Sequence, residues 1–148
     1  MARFRPILGI ILAAIATFIV SCGGAAPKQP LTYTPEILQK VQIYAPAVND
    51  LRDRFPELQG YIQDKDWVDV SSFIHGPLGE MRFQMNRLAA TLLPKDAEQA
   101  KQLAKEVYVH LERMDQAASE GNQVIVGQEY RNALDDFDAF LNLVPSNG

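Results

Sequence analysis

Between Thr34 and Pro145 the apolar residues fall three and four positions apart over long stretches, the period that lines one face of an α-helix. The first stripe is Ile37, Val41, Tyr44, Val48, Leu51 and Phe55. Thr34-Pro35-Glu36 opens it with a hydroxyl cap, a proline at the first helical position and an acid beside the exposed amides. Pro46 lies inside this run and is expected to kink the helix near Gln42. Pro56 either ends the helix or starts a further turn from Glu57 to Ile62, and Gly60 to Asp66 reads as the first loop.

A second stripe, Trp67, Ser71, Ile74, Leu78, Met81, Met85, Leu88 and Leu92, alternates four and three without a slip, which is a bundle-type seam. It predicts one helix from Asp64 or Asp66 to about Leu93, with a bend or local loosening at Gly76-Pro77 and no break, because the register continues on both sides. After Pro94, Asp96 and Gln99 have capping-box spacing for a third helix carrying Ala97, Ala100, Ala104, Val107, Leu111, Met114 and Ala118, closed by Gly121. Asn122 caps a fourth, carrying Val126, Tyr130, Ala133, Phe137, Phe140 and Val144 and stopped by Pro145. Connections this short force antiparallel neighbours. The expected fold is all-α: an antiparallel up-down-up-down four-helix bundle over residues 34–148, about 30 to 40 Å long.

Upstream the pattern changes. Arg3 and Arg5 precede an apolar run from Ile7 to Val20 interrupted only by Gly9 and Thr17, the charged-then-apolar order of an export signal. At 1.5 Å per residue that run spans roughly 21 Å, short of the ~30 Å hydrocarbon core, so it reads as a signal peptide over residues 1–21 and not as a permanent span. It ends in Ile19-Val20-Ser21-Cys22, where a small-x-small site would be ordinary, and this looks like a bacterial lipobox. The expectation is a mature chain beginning at Cys22, lipidated there. Residues 22–33, GGAAPKQPLTY after the cysteine, have no apolar period and read as a flexible tether, stiffer near Pro27 and Pro30.

Loss of residues 1–21 leaves 12 Lys+Arg against 18 Asp+Glu, a formal charge of −6. The basic residues are scattered, which argues against nucleic acid and against an electrostatic grip on anionic lipid. Membrane attachment then rests on acyl chains at Cys22, each buried methylene contributing about 0.8 kcal/mol. With one cysteine no internal disulfide forms.

Chemistry-bearing patterns are sparse. There is no phosphate-cradling glycine loop, no CxxC, no haem-attachment motif and no HExxH. A di-iron bundle needs Glu-x-x-His on each of two helices, but the residues three before His75 and His110 are Ser72 and Val107. Counting back from the Leu93 to Lys95 turn puts His75 level with Arg113 and His110 level with Leu78, about one helical turn apart. A zinc site through His75 and His110, with Glu106 or Glu112 as a third ligand, is geometrically conceivable; two half-exposed histidines bonded to water or backbone are the simpler reading. Asp135, Asp136 and Asp138 read as a solvated helix face, and Asp64, Asp66 and Asp69 as acids favoured at a helix N-terminus. No catalytic residue, cofactor or enzymatic turnover is expected, and the bundle is expected to be monomeric in isolation.

The segment Asp66 to Arg82, DWVDVSSFIHGPLGEMR, together with the lipobox, resembles the PsbQ family of extrinsic photosystem II subunits, most closely its cyanobacterial lipoprotein form. The resemblance spans roughly Thr34 to Val144. It implies a four-helix bundle on the lumenal side of the thylakoid membrane, docked on the photosystem II core beside other extrinsic lumenal subunits. Such a protein supports the oxygen-evolving centre without ligating its metal. The short tether replaces the long N-terminal arm of plant forms, so plant docking residues do not carry over. Docking candidates on this chain are Tyr33, Arg52, Arg54, Tyr61, Arg82 and Arg87, because aromatics and arginine are enriched at interfaces.

Overall fold

The computed structural model describes residues 32–146; the expected export signal, Cys22 and the expected tether up to residue 31 lie outside the described residues. Among those described there are six α-helices and no strand: α1 (Pro35–Arg52), α2 (Phe55–Asp64), α3 (Trp67–His75), α4 (Met81–Ala89), α5 (Pro94–Ser119) and α6 (Gln123–Leu141). The two longest, α5 and α6, make the most extensive pairing. Both α3 and α4 lie on α5, α1 lies on α4, and α2 bridges α3 and α6.

The core follows the apolar stripes closely. Val41, Val48, Leu51 and Phe55, then Ile74, Leu78, Met81, Met85, Leu88 and Leu92, are all buried, as are all seven expected positions of α5 and Val126 to Phe140 of α6. No polar or charged residue is buried among the described residues. Trp67 and Val144 are partly buried against this core. Phe55 sits at its centre, its ring 5.5 Å from Phe137 in an edge-to-face arrangement and 6.0 Å from Tyr130. The Tyr130 hydroxyl donates to the Phe55 carbonyl at 3.2 Å, which satisfies a polar group inside an apolar environment.

Helix boundaries depart from the expected ones most clearly in three places. First, Gly60 lies inside α2, not in a loop. Pro56 starts that helix, Phe55, Leu58 and Ile62 bury one face of it, and the turn shrinks to Lys65 at φ 58° and Asp66. Asp66 then caps α3 by accepting the Asp69 amide at 3.1 Å.

Second, Gly76-Pro77 breaks the expected long helix instead of bending it. The residue before proline is pushed from helical geometry, and Gly76 sits at φ −93°, ψ −92°. The chain tightens so far that a Cβ on Gly79 would lie 2.6 Å from the His75 carbonyl oxygen. Only glycine fits there. The Leu78 amide still reaches back to the Phe73 carbonyl at 3.1 Å, and the Leu78 side chain stays buried, so the seam runs on through the interruption.

Third, Asp96 and Gln99 form no capping box: α5 begins at Pro94 after an extended Leu93, with no side-chain cap. Tyr33 supplies what is missing. Its hydroxyl donates to Asp96 Oδ2 at 2.7 Å and accepts the Leu93 amide at 3.4 Å, clasping the segment before α1 to the start of α5. Burial, followed by the Asp96 bond, pushes the Tyr33 hydroxyl up to about 12. A raised phenol favours folding fully below its ordinary value of 10.0, and that contribution is lost as the pH climbs towards about 12. Tyr33→Phe should lower stability by about 1 kcal/mol near neutrality and flatten the alkaline loss in urea titrations across that window.

The starts of α1 and α6 and the end of α5 behave as expected. Thr34 Oγ1 accepts the Ile37 amide at 3.4 Å, α1 continues through Pro46 as one element, and Asn122 accepts the Ile125 amide at 3.3 Å. Gly121 takes φ 69° while the Asn122 amide bonds the Ala117 carbonyl and the Gly121 amide that of Ala118, a Schellman ending that folds α6 back on α5. Against expectation the last helix stops at Leu141, four residues before Pro145, and leaves Val144 outside it.

Candidate functional site

Two surfaces concentrate chemistry. The first forms where α5 meets α6. Glu106 and His110 are four residues apart on α5 and share a face; Glu129 and Asp136 are two turns apart on α6. The Gly121 turn brings the two pairs level, so His110 lies between the α6 acids. Its Nδ1 is 2.5 Å from Glu129 Oε2 and its Nε2 is 3.3 Å from Asp136 Oδ2, with the imidazole and Glu129 side chains each only 13% exposed. One ligand atom from each of Glu106, His110 and Asp136 lies within 4.8 Å of the others. Burial raises the Asp136 carboxyl; His110 opposes the rise, while Glu106 and Asp135 add to it.

The structure engages the two histidines separately. His75, 70% exposed, pairs through Nε2 with Asp115 at 3.0 Å on the flank of α5 that faces α3. Burial works to raise the Asp115 carboxyl, but bonds from Ser71 and His75 outweigh it and hold Asp115 low. Glu106 joins the His110 group, whereas Glu112 lines the shallow depression around His75. The acids of α6 are also more than a solvated face: Asp136 meets His110, and Asp138 meets Arg52.

The second surface lies along α1, α4 and α5. Arg87 stacks between Tyr44, 4.6 Å from its centroid, and Phe83, 5.2 Å away; Arg82 covers Tyr108 at 5.0 Å. Ile43 and Phe83 are 64% and 59% exposed here, large apolar side chains that no helix covers. Stacked guanidinium groups beside uncovered apolar side chains are the ingredients of a protein-binding surface.

Other expected docking residues carry internal contacts. Arg52 forms a bidentate pair with Asp138, at 2.6 and 3.0 Å, that ties α1 to α6. Tyr33 is the clasp described above. Tyr61 packs on Phe73 and donates to Glu57 at 3.1 Å. Arg54 is exposed beside the Gly76-Pro77 turn.

Phe83 and Ile43 were not among the expected candidates, although each falls off its helix's stripe, the signal that could have exposed them. Glu129 was missed because levels were counted across the Pro94 turn and not across Gly121. No helix among the described residues is long and apolar enough to cross a membrane.

Comparison with known proteins bears on this helical chain directly. Residues 28–145 match the PsbQ family, described as oxygen evolving enhancer protein 3. The chain belongs to the PsbQ family. A relative named CyanoQ, from Synechocystis sp. (strain ATCC 27184 / PCC 6803 / Kazusa), is 47% identical over 146 residues, covering 98% of each chain. The family match takes in every helix described here, including the Gly76 to Glu80 interruption, both histidines and the arginine-aromatic surface.

Proposed function

We propose that this PsbQ-family chain is a non-catalytic extrinsic subunit of photosystem II, held on the lumenal side of the thylakoid membrane by acyl chains on Cys22. It docks on the core complex beside other extrinsic subunits and supports the oxygen-evolving centre by mass action on the assembled state. The observation that carries this reading is the near full-length likeness to CyanoQ in a chain that also has Ile19-Val20-Ser21-Cys22. In this reading residues 1–21 are removed, 22–33 form a tether whose last residue, Tyr33, is clasped to α5, and 34–148 form the docking domain. The six helices make four antiparallel rods, α1 with α2, α3 with α4, then α5 and α6, each broken rod lying beside a neighbour.

The surface around Phe83 and Arg87 is the docking face we favour, because its apolar side chains have no internal role to explain them. A tagged copy recovered from detergent-solubilised thylakoids should bring photosystem II polypeptides with it, and their absence would refute the assignment. Phe83→Asp combined with Arg87→Glu should cut that recovery by about tenfold or more, since central aromatic and arginine residues carry ≥ ~2 kcal/mol each at interfaces. Recovery equal to wild type would move the docking face elsewhere.

A further inference from the structure

We propose that the end of the bundle at the Gly121 corner, where Val68, Val124 and Ile125 are uncovered beside Trp67, is a contact surface for a basic protein segment that sets lysine or arginine next to an apolar side chain. This deepens the docking reading and rests on it: the docked chain gains a contact separate from the face around Phe83 and Arg87. Apart from Ile43 and Phe83 on that face, the large apolar side chains left exposed among the described residues all lie here, Val68 at 75%, Val124 at 81% and Ile125 at 45%. The fold brings them to one end. Trp67 opens α3, and its indole nitrogen is 3.9 Å from the position a Cβ on Gly121 would take, so the start of α3 meets the corner between α5 and α6. Val68 follows Trp67 directly, and Val124 and Ile125 come three and four residues after Gly121. None of the three side chains belongs to the core. Apolar side chains gathered at one place, without an internal role, mark an interaction surface.

Charge decides what covers them. The stretches that form this end, residues 64–69 and 119–125, hold the acids Asp64, Asp66, Asp69 and Glu120 against the single base Lys65. Among the described residues none of these acids forms an ion pair within the chain. Asp66 accepts the Asp69 amide, and Glu120 takes a hydrogen bond from Gln116 at 3.2 Å. Helix dipoles do not reverse the sign, because α2 and α5 end here while α3 and α6 begin here, and their contributions offset. Such a rim repels the same face of a second copy and repels an anionic bilayer, whereas it attracts a basic protein surface.

A shallow depression of about 570 Å³ beside Val68 gives that surface a place to anchor. Trp67, Ala118, Glu120 and Gly121 line it, so an indole and a carboxylate share its walls. Among the described residues no lysine or arginine sits over the Trp67 ring, although arginines of this chain cover Phe55, Tyr44, Phe83 and Tyr108. A partner's arginine or lysine can lay its stem on Trp67 with its head towards Glu120, while its apolar neighbour meets Val68 and Val124.

The test uses the full chain in thylakoid membranes. Val124→Cys adds a thiol besides Cys22, which carries lipid in the docking reading, and benzophenone maleimide on the new thiol cross-links on illumination to whatever lies against it. The expected product is an adduct with a photosystem II polypeptide, through a peptide whose lysines and arginines outnumber its acids. The same label on Glu98→Cys, near the opposite end of α5, should not give that adduct. With the label kept at Val124→Cys, Val68→Asp should lower the yield about tenfold, the loss expected on charging the apolar centre of a contact. Asp64→Lys with Glu120→Lys should lower it about fivefold and flatten its decline with salt, because rim charges act through screened attraction. Both changes are at exposed helix ends and should leave the thermal midpoint within about 3 °C of wild type.

An adduct only with lipid, only with a second copy or only through an acidic peptide would overturn the inference. So would a yield that ignores Val68→Asp and the paired charge reversal. Recovery of photosystem II polypeptides by the tagged chain without any Val124 adduct would sink this contact and spare the docking reading. No recovery at all would sink the docking reading, and this contact with it.

Discussion

Phe137→Ala is expected to lower the unfolding free energy by about 3–5 kcal/mol, the range for deleting a fully buried aromatic ring. Phe137 has no solvent exposure and meets Phe55 edge to face at 5.5 Å, where α6 packs on the junction between α1 and α2. Removing the ring opens a cavity beside Phe55 and Tyr130 that rigid helices on both sides cannot collapse into. The same Phe55 backbone accepts the Tyr130 hydroxyl, so relaxation of the ring layer also strains a buried hydrogen bond. For a domain of this size the thermal midpoint should fall by roughly 12–20 °C. Differential scanning calorimetry checks it, with Phe83→Ala as the control: at 59% exposure, that change should stay within about 0.5 kcal/mol of wild type. A Phe137→Ala midpoint within 3 or so degrees of wild type would mean that the ring layer is not the centre of the core.

Loss of the lipid proposed on Cys22 should have the other large effect. Two or more acyl chains give stable membrane attachment, whereas a chain without them and without a basic patch has nothing to hold it. The scattered basic residues and formal charge of −6 after residue 21 offer no electrostatic substitute. Cys22→Ser, exported behind an ordinary small-x-small signal so that cleavage still occurs, should shift from carbonate-washed membranes to the soluble fraction by about 100-fold or more. Wild type should carry a diacylglyceryl mass at its N-terminus. A Cys22→Ser protein that still resists carbonate would show that attachment does not run through the cysteine.

Periodicity read the core well because burial and helical period are the same constraint seen twice: Met81, Met85 and Leu88 repeat in the sequence because they face one seam. It read the backbone between helices less well. Gly76 to Glu80 keeps Leu78 in phase, so nothing in the apolar pattern marks the break, which comes from Pro77 and from the space denied at Gly79. Gly60 misled in the opposite direction. It has open space around it, so its presence in α2 needs no turn. At Asp96 a capping-box spacing was present, but Pro94 started the helix two residues earlier, which put Asp96 in the first turn where Tyr33 could claim it.

The candidate sites depended on which helices meet, which composition does not encode. His110 has no carboxylate three residues before it, yet it sits among three acids because Gly121 folds α6 back in one register. Arg52, Arg82 and Arg87 are alike in sequence. One is locked into a bidentate pair across the fold, and the other two sit over aromatic rings.

The Tyr33 clasp gives the molecule a polarity. Whatever pulls on the segment before α1 pulls on the corner where α5 begins, and the 26 residues of α5 carry the Gly121 corner about 39 Å away. Were the chain anchored through Cys22 as proposed, the domain would be a lever pivoted at one end, and its arginine-aromatic flank would sweep a confined shell above the bilayer. A target inside that shell would then meet the flank at a raised effective concentration, and a modest contact would gain occupancy without any new interaction.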